Sequence, residues 1–341
     1  MKILICQISN KLINSNPDQL NEKYFNAVYE NVPGYARPEH FWEIPTWIAE
    51  VSKNFPEATL HIVENLEATK QFIQKENPYF VFFSALEANK EIVHQIIKAC
   101  PNSIYCLGGY VDKNEFRGSG VLWFDSIEDL TLYFGRKYVK GQSYKLFKGT
   151  RTIPRLTLSR GCLHRCAFCT VPKKIEELRL SQILDQIGSF RDLRFELVYL
   201  DDKTFGQAAN HELLPEIYEF VKDENPDFRG FIIQTSAGAL LKISKDVLIE
   251  GHVLFVEIGI ESYNQNILAK IHKPHGVKLI DRAVSRLRSL GIRFIPNIMV
   301  GLAGNRWSET ECSYQNTLNF LTQNQDVISH INPYVLSLYE G

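Results

Sequence analysis

The chain has 341 residues, 45% apolar and 23% charged, with a net charge of −1. That length suits two domains of about 100–200 residues each, and the near-neutral charge gives no global electrostatic case for nucleic acid. No apolar run reaches the ~18 residues of a membrane span, and seven cysteines without a paired framework suit a reducing cytoplasm.

Lys2 to Ile8 alternates toward a first strand and does not have the layout of a signal peptide. Ser9 to His40 is polar, with Asn16-Pro17, Val32-Pro33-Gly34 and Arg37-Pro38 turn signals and the aromatics Tyr24, Phe25, Tyr29 and Tyr35. A loop of that length reads either as a ligand-contacting segment or as a surface insertion. Regular alternation follows: helix from Ile44 to Asn54, strand from Thr59 to Val63, helix from Leu66 to Glu76 stopped by Asn77-Pro78, and a strand from Tyr79 to Ala85. That last run is almost wholly apolar, as a parallel strand covered on both faces is. Next come a helix from Asn89 to Cys100, a strand from Ser103 to Leu107 leading into Gly108-Gly109, a short strand from Val121 to Phe124 and a helix from Ser126 to Tyr138. This order predicts a Rossmann-like parallel α/β sheet over 1–138. Val139 to Pro154, rich in Lys, Gly and polar residues, reads as a linker (139–154).

The order of elements and the Gly108-Gly109 turn resemble the cobalamin-binding-type domain, and that resemblance implies a ligand against Gly108 and Gly109 at the carboxyl ends of the strands. The D-x-H-x-x-G loop of that family, whose histidine ligates cobalt, is absent. The resemblance therefore implies the fold, and either cobalamin held without a histidine below the metal or no cobalamin.

Arg155 to Ser159 opens a second α/β series over 155–341, and Ser159-Arg160-Gly161-Cys162-Leu163-His164-Arg165-Cys166-Ala167-Phe168-Cys169 leaves its carboxyl end. Helices are expected at Leu180–Phe190, Leu213–Lys222, Lys245–Glu250, Gln265–Ile271, Val277–Leu290 and Ser308–Leu321. Strands are expected at Leu197–Leu200, Phe231–Gln234, Val253–Ile258, Phe294–Val300 and Ile331–Leu338. Six β/α units predict an open (β/α)6 partial TIM barrel, with its active site at the carboxyl ends of the strands.

Cys162, Cys166 and Cys169 are spaced C-x3-C-x2-C. Thiolates suit zinc or iron–sulfur clusters. A zinc site normally takes a fourth ligand, which His164 is awkwardly placed to supply between two others, and three free core thiols are the remaining reading. The loop, with Phe168 before its third cysteine, resembles the signature of the radical S-adenosylmethionine (SAM) superfamily. The resemblance implies a [4Fe–4S] cluster on Cys162, Cys166 and Cys169 whose fourth iron chelates SAM. It further implies cleavage of SAM to methionine and a 5′-deoxyadenosyl radical, which takes hydrogen from a substrate. It carries Phe168, Asp201 and Asp202 after the second strand, Gly259, Glu261 and Ser262 after the fourth, and Gly301 after the fifth over as cofactor-binding residues. Ala303 and Asn305 depart from the usual proline and glutamate of the fifth-strand turn, and Gln234 to Ala237 lacks the usual arginine of the third. Expected partners are a small-molecule or peptide substrate and a reducing protein such as a flavodoxin or ferredoxin, with no membrane and no nucleic acid. The outcome of the reaction is left open between cobalamin-assisted methyl transfer or rearrangement, tRNA methylthiotransferase-like chemistry, and a catalytically silent cluster- or SAM-binding protein. Cys169-Thr170-Val171-Pro172 is similar to the methylthiotransferase loop, and Cys6 and Cys106 stand where two auxiliary ligands of that family would.

Overall fold

A computed structural model describes residues 2–9, 12, 45–118, 120–149, 152–300 and 311–335. The segment 9–40, apart from Ser9 and Leu12, and the glycine-rich turn at Gly301 lie outside them. The chain forms two compact units, the first running to Thr152 and including Ser189–Arg194, the second holding Ile153–Gly188 and the chain from Phe195 onward.

The first unit contains β1 (Ile3–Ile8), α1 (Thr46–Asn54), β2 (Thr59–Val63), α2 (Leu66–Glu76), β3 (Phe80–Leu86), α3 (Lys90–Ala99), β4 (Ile104–Tyr110), β5 (Val121–Trp123) and α4 (Ile127–Tyr133). Local chemistry sets the helix ends. The Asn65 side chain accepts the Ala68 N–H at 2.9 Å to start α2, and Asn77, left-handed at φ 44°, ends it before Pro78. The sheet order is β2-β1-β3-β4-β5, all parallel. One face packs Leu4, Cys6, Val81, Phe83 and Leu107 with Ile73 of α2 and Val93 and Ile96 of α3. On the other, Phe55, Phe80, Phe82 and Phe134 pair edge to face at 4.7–5.8 Å.

Two expectations shift here. β4 continues through Gly108 and Gly109, which pair with Ser84 and Ala85 of β3, so the glycine pair is strand and not turn. The expected linker is also partly packed onto the first unit. Asn54 donates to the Val139 carbonyl and accepts its N–H, Ser143 N–H donates to the Ala49 carbonyl, and Tyr144 and Phe147 are buried.

The second unit contains β6 (Arg155–Leu156), β7 (Ser159–Arg160), β8 (Glu176–Glu177), α5 (Leu180–Ser189), β9 (Leu197–Leu200), α6 (Leu214–Glu224), β10 (Gly230–Thr235), α7 (Ala237–Leu240), α8 (Lys245–Glu250), β11 (Val253–Glu261), α9 (Gln265–Lys270), α10 (Val277–Leu290), β12 (Arg293–Val300), α11 (Glu311–Gln323) and β13 (Asn332–Val335). Its main sheet runs β6-β9-β10-β11-β12-β13, parallel throughout and in chain order, with β6 and β13 as unpaired ends. This is the open (β/α)6 partial barrel expected. The single opening strand expected at Arg155–Ser159 is instead two pieces. β6 joins the barrel sheet, and β7 pairs antiparallel with β8, so the cysteine loop is the tip of a hairpin. β11 overruns its expected end and carries Gly259 to Glu261 inside the strand.

Candidate active site

The hairpin tip closes on itself through backbone. Cys162 N–H donates to the Pro172 carbonyl at 3.0 Å, and Cys169 N–H to the Cys166 carbonyl at 3.1 Å. Gly161 makes the closure sterically feasible. Its φ is +84°, and a Cβ there would lie 1.7 Å from the Lys174 carbonyl oxygen. The loop also docks on the α9–α10 connection, where Ala167 N–H donates to the Ile271 carbonyl at 2.9 Å and the Lys273 ammonium lies 5.5 Å from the centre of the Phe168 ring.

All three cysteines and Phe168 line one pocket of about 380 Å³ with Thr204, Gly259, Glu261, Lys273 and His275. That volume is within the ordinary range for small-molecule sites. Cys162 is buried, with its Sγ 3.2 Å from the Thr204 hydroxyl and accepting the His164 N–H at 3.4 Å. Burial raises the Cys166 thiol above its ordinary value, Lys273 opposes the rise, and Cys169, Cys162 and Glu261 add to it.

Zinc and cluster make different demands on these donors. Among the described residues, no three His, Cys, Asp or Glu side chains converge on a point that one metal ion could occupy. His164 does not complete a zinc set, because its Nε2 is engaged by the Gln207 amide at 2.9 Å and the Ser236 hydroxyl at 3.2 Å. Thiolates that bind a cube of irons sit on separate irons and stand apart, so three spaced thiols around an open pocket fit a [4Fe–4S] cluster better than a single ion.

The remaining expected residues divide. Gly259, Glu261 and Lys273 stand together on the wall. The β11–β12 register shifts between Gly259 and Glu261, and Glu261 sits at φ 58°. Such a bulge re-aims a side chain, and a non-glycine residue in that conformation carries strain. Here it points the buried Glu261 carboxylate to Lys273 Nζ at 2.6 Å. Ser262 lies beyond the bulge, fully buried, with its hydroxyl unpartnered among the described residues, and it does not line the pocket.

Asp201 and Asp202 do not line the pocket either. Asp201 binds Arg155 at 2.6 Å and Lys203 at 2.9 Å. Asp202 is buried, accepting the Leu158 N–H at 2.9 Å and the Ser159 hydroxyl. Burial lifts its carboxyl above the usual range, against the pull of those hydrogen bonds. Its geometry is that of a clamp on the stem of the cysteine loop.

Sequence reasoning missed Gly161, Thr204, Lys273, His275 and Glu257 as parts of the site. Glu257 had a signal: a carboxylate inside the apolar run Val253 to Ile258. It is buried, and it accepts from Tyr199 Oη at 3.1 Å and Asn297 Nδ2 at 2.6 Å. Those partners stand on β9 and β12, so the carboxylate joins three barrel strands, and all three residues line the pocket.

In the first unit, Gly108 and Gly109 line a separate cavity of about 320 Å³ with Trp47, Phe82, Ser84, Phe124 and Leu130. Gly109 is required by strand packing, since its φ is +137° and a Cβ would meet the Ala85 carbonyl oxygen at 1.9 Å. Among the described residues no histidine lines it. Its described wall is largely apolar, with Trp47, Phe82, Phe124 and Leu130.

Residues 156–315 match the radical SAM superfamily. The second unit is a radical SAM domain. Members of that superfamily employ a [4Fe–4S] cluster and SAM. A curated relative, an uncharacterized protein of Methanocaldococcus jannaschii, is 25% identical over 198 residues, 52% of this chain and 58% of the relative. The fold of both units is that of cobalamin-dependent radical SAM enzymes. TsrM from Kitasatospora setae, a radical SAM methyltransferase solved with cobalamin and a [4Fe–4S] cluster, matches with a TM-score of 0.64 at 12% identity, over 99% of this chain and 76% of TsrM. OxsB with aqua-cobalamin bound matches with a TM-score of 0.61 at 15% identity, over 96% of this chain. This chain spans 53% of the OxsB structure.

Among the described residues no helix is long and apolar enough to cross a membrane.

Proposed function

We propose that Cys162, Cys166 and Cys169 hold a [4Fe–4S] cluster, that SAM binds beside it in the radical SAM domain's pocket, and that the first unit binds cobalamin for methyl transfer to, or rearrangement of, a small-molecule or peptide substrate. The observation that carries the reading is three spaced thiols around one pocket, with no three donors among the described residues converging on a single ion. When bound, the cluster would supply one electron to the SAM sulfonium, giving methionine and a 5′-deoxyadenosyl radical that takes a hydrogen atom from substrate. The chain's own residues do the rest. Gly161 and the Pro172 and Ile271 carbonyls fix the loop, and the Glu261–Lys273 pair presents matched charges on the wall. The electron would come from a reducing protein such as a flavodoxin or ferredoxin.

The cobalamin part rests on likeness of fold and on the largely apolar cavity, whose described lining residues include no histidine. That cavity suits one planar end of the cofactor, bound without an imidazole below the metal. The methylthiotransferase-like reading keeps its loop similarity but loses the auxiliary cluster, because Cys6 packs into the face covered by α2 and α3 while Cys106 lines the cavity on the opposite face. Two thiols on opposite faces of one sheet do not share a cluster.

Anaerobically reconstituted protein should bind about four irons per chain and, once reduced, convert SAM to 5′-deoxyadenosine. Cys166→Ala should abolish both. A zinc-loaded, iron-free protein, or unchanged turnover in the variant, would sink the reading.

A further inference from the structure

His275 is buried, at 4% exposure, and lines the same pocket as the three cysteines. Neither of its ring nitrogens closes a hydrogen bond of good geometry among the described residues, and the one polar neighbour felt by the ring is the Gly259 backbone. Native proteins rarely leave both nitrogens of a buried imidazole unpaired, because each lost partner forfeits solvation that nothing replaces. An apolar residue there would fold more comfortably. A buried polar ring kept in a ligand-sized pocket is most simply explained by a ligand that satisfies it.

We infer that His275 is a SAM-recognition residue, hydrogen-bonding through a neutral imidazole to an uncharged hydroxyl or amine of the SAM molecule bound in this pocket.

The electrostatics favour a neutral ring. Burial first, then the Lys273 charge and His164, push His275 down to about 3, while the Gly259 carbonyl favours a proton on the ring. A neutral imidazole carries one N–H donor and one acceptor nitrogen. Glu261 and Lys273 on the same wall are already paired with each other at 2.6 Å, so a neutral His275 is suited to uncharged polar groups. Its position two residues beyond Lys273, on the connection that also receives the Ala167 N–H at Ile271, places it on the segment that supports the cysteine loop.

The inference rests on the reading of the pocket as a SAM site, and the experiment separates the two. Wild-type, His275→Phe, His275→Ala and His275→Gln proteins are reconstituted with iron. SAM affinity is then measured by equilibrium dialysis without reductant, and Tm is measured on the same ligand-free samples. Iron content should be equal in all four. His275→Phe should lose at least tenfold in SAM affinity, about 1.4 kcal/mol, with a Tm at or above wild type, because the phenyl ring removes the unpaired nitrogens. His275→Ala deletes the ring without crowding and should lose affinity similarly. His275→Gln, which restores a donor and an acceptor, should recover most of the loss. A merely structural histidine, or one satisfied only by ordered water, predicts SAM affinity within twofold of wild type in the Phe and Ala variants, and that result overturns the inference. A loss that Gln does not recover overturns it as well. Failure of the wild-type protein to bind iron or SAM would instead overturn the pocket reading itself.

Discussion

The smallest feature on which the site depends is the missing side chain of Gly161. Its φ of +84° is one that an L-residue adopts only at a cost, and the Lys174 carbonyl occupies the place of a Cβ at 1.7 Å. Backbone cannot yield there as the end of a flexible side chain would. Gly161→Ala should therefore open the hairpin tip, at about 2 kcal/mol or more from strain and displacement together. The measurable results are a lowered Tm and an iron content well below wild type after identical reconstitution. Wild-type values of both would show that the closure is not needed. The cysteines themselves were legible because one short stretch holds all three, and ligand spacing survives as a pattern in the chain. Thr204, Lys273 and His275 were not legible in that way. They reach the pocket from other elements, and nothing local in Lys273-Pro274-His275 announces that its lysine would find Glu261 or that its histidine would be buried without a partner.

Among the elements, the junction of β9 with β6 and β7 explains a motif that sequence reading had assigned to cofactor contact. Asp202 follows β9 and grips the chain between β6 and β7 by accepting from Leu158 N–H and the Ser159 hydroxyl. Asp202→Ala would leave a buried N–H and a hydroxyl unpaired, at about 1–3 kcal/mol for each group that finds no substitute. Asp202→Asn keeps an acceptor for Leu158 and should restore most of that stability, which denaturant unfolding of the two variants would resolve. Charge gives a second handle. The folded-state proton affinity of Asp202 is raised by burial, so the folded protein holds this proton more tightly than the unfolded chain does. Its contribution to stability is present below the ordinary aspartate value and is lost as pH rises through the raised one. The Asn variant should lack that slope, and an unchanged slope would assign it elsewhere.

The same comparison shows what element reading captures. α2, α8 and α10 have the ends expected, because a cap or stop marks them: Asn65 and Asn77, Ser244, and the left-handed Gly291. β4 and β11 overran, since a glycine inside a parallel strand reads in sequence as a turn. α7, only four residues long, has a cap at Ser236 but no periodicity to detect.

Across the whole molecule, alternation of strand and helix was enough to foresee both sheets, because parallel strands with crossovers admit few arrangements. What each unit binds is a different question, and it turns on cavities that no pattern spells out. In the first unit the order β2-β1-β3-β4-β5 places ligands at the carboxyl ends of the strands, and the 320 Å³ cavity lies there. Its wall is built from Trp47, Phe82, Phe124 and Leu130, with the backbone of Gly108 and Gly109 along one side. If this cavity takes part of cobalamin, as we propose, hydroxocobalamin should bind the intact protein and quench Trp47. Ser84 faces the same cavity from β3. Ser84→Trp would fill it with an indole while leaving the core between the sheet and α2 and α3, formed by the neighbouring Phe83 and Ala85, in place. The variant should lose cobalamin binding and keep wild-type iron content, because the cysteine loop belongs to the other unit. Undiminished binding in Ser84→Trp would remove the cavity from any cobalamin site. Absence of binding by wild-type protein at high micromolar concentration would leave the radical SAM domain to act without that cofactor.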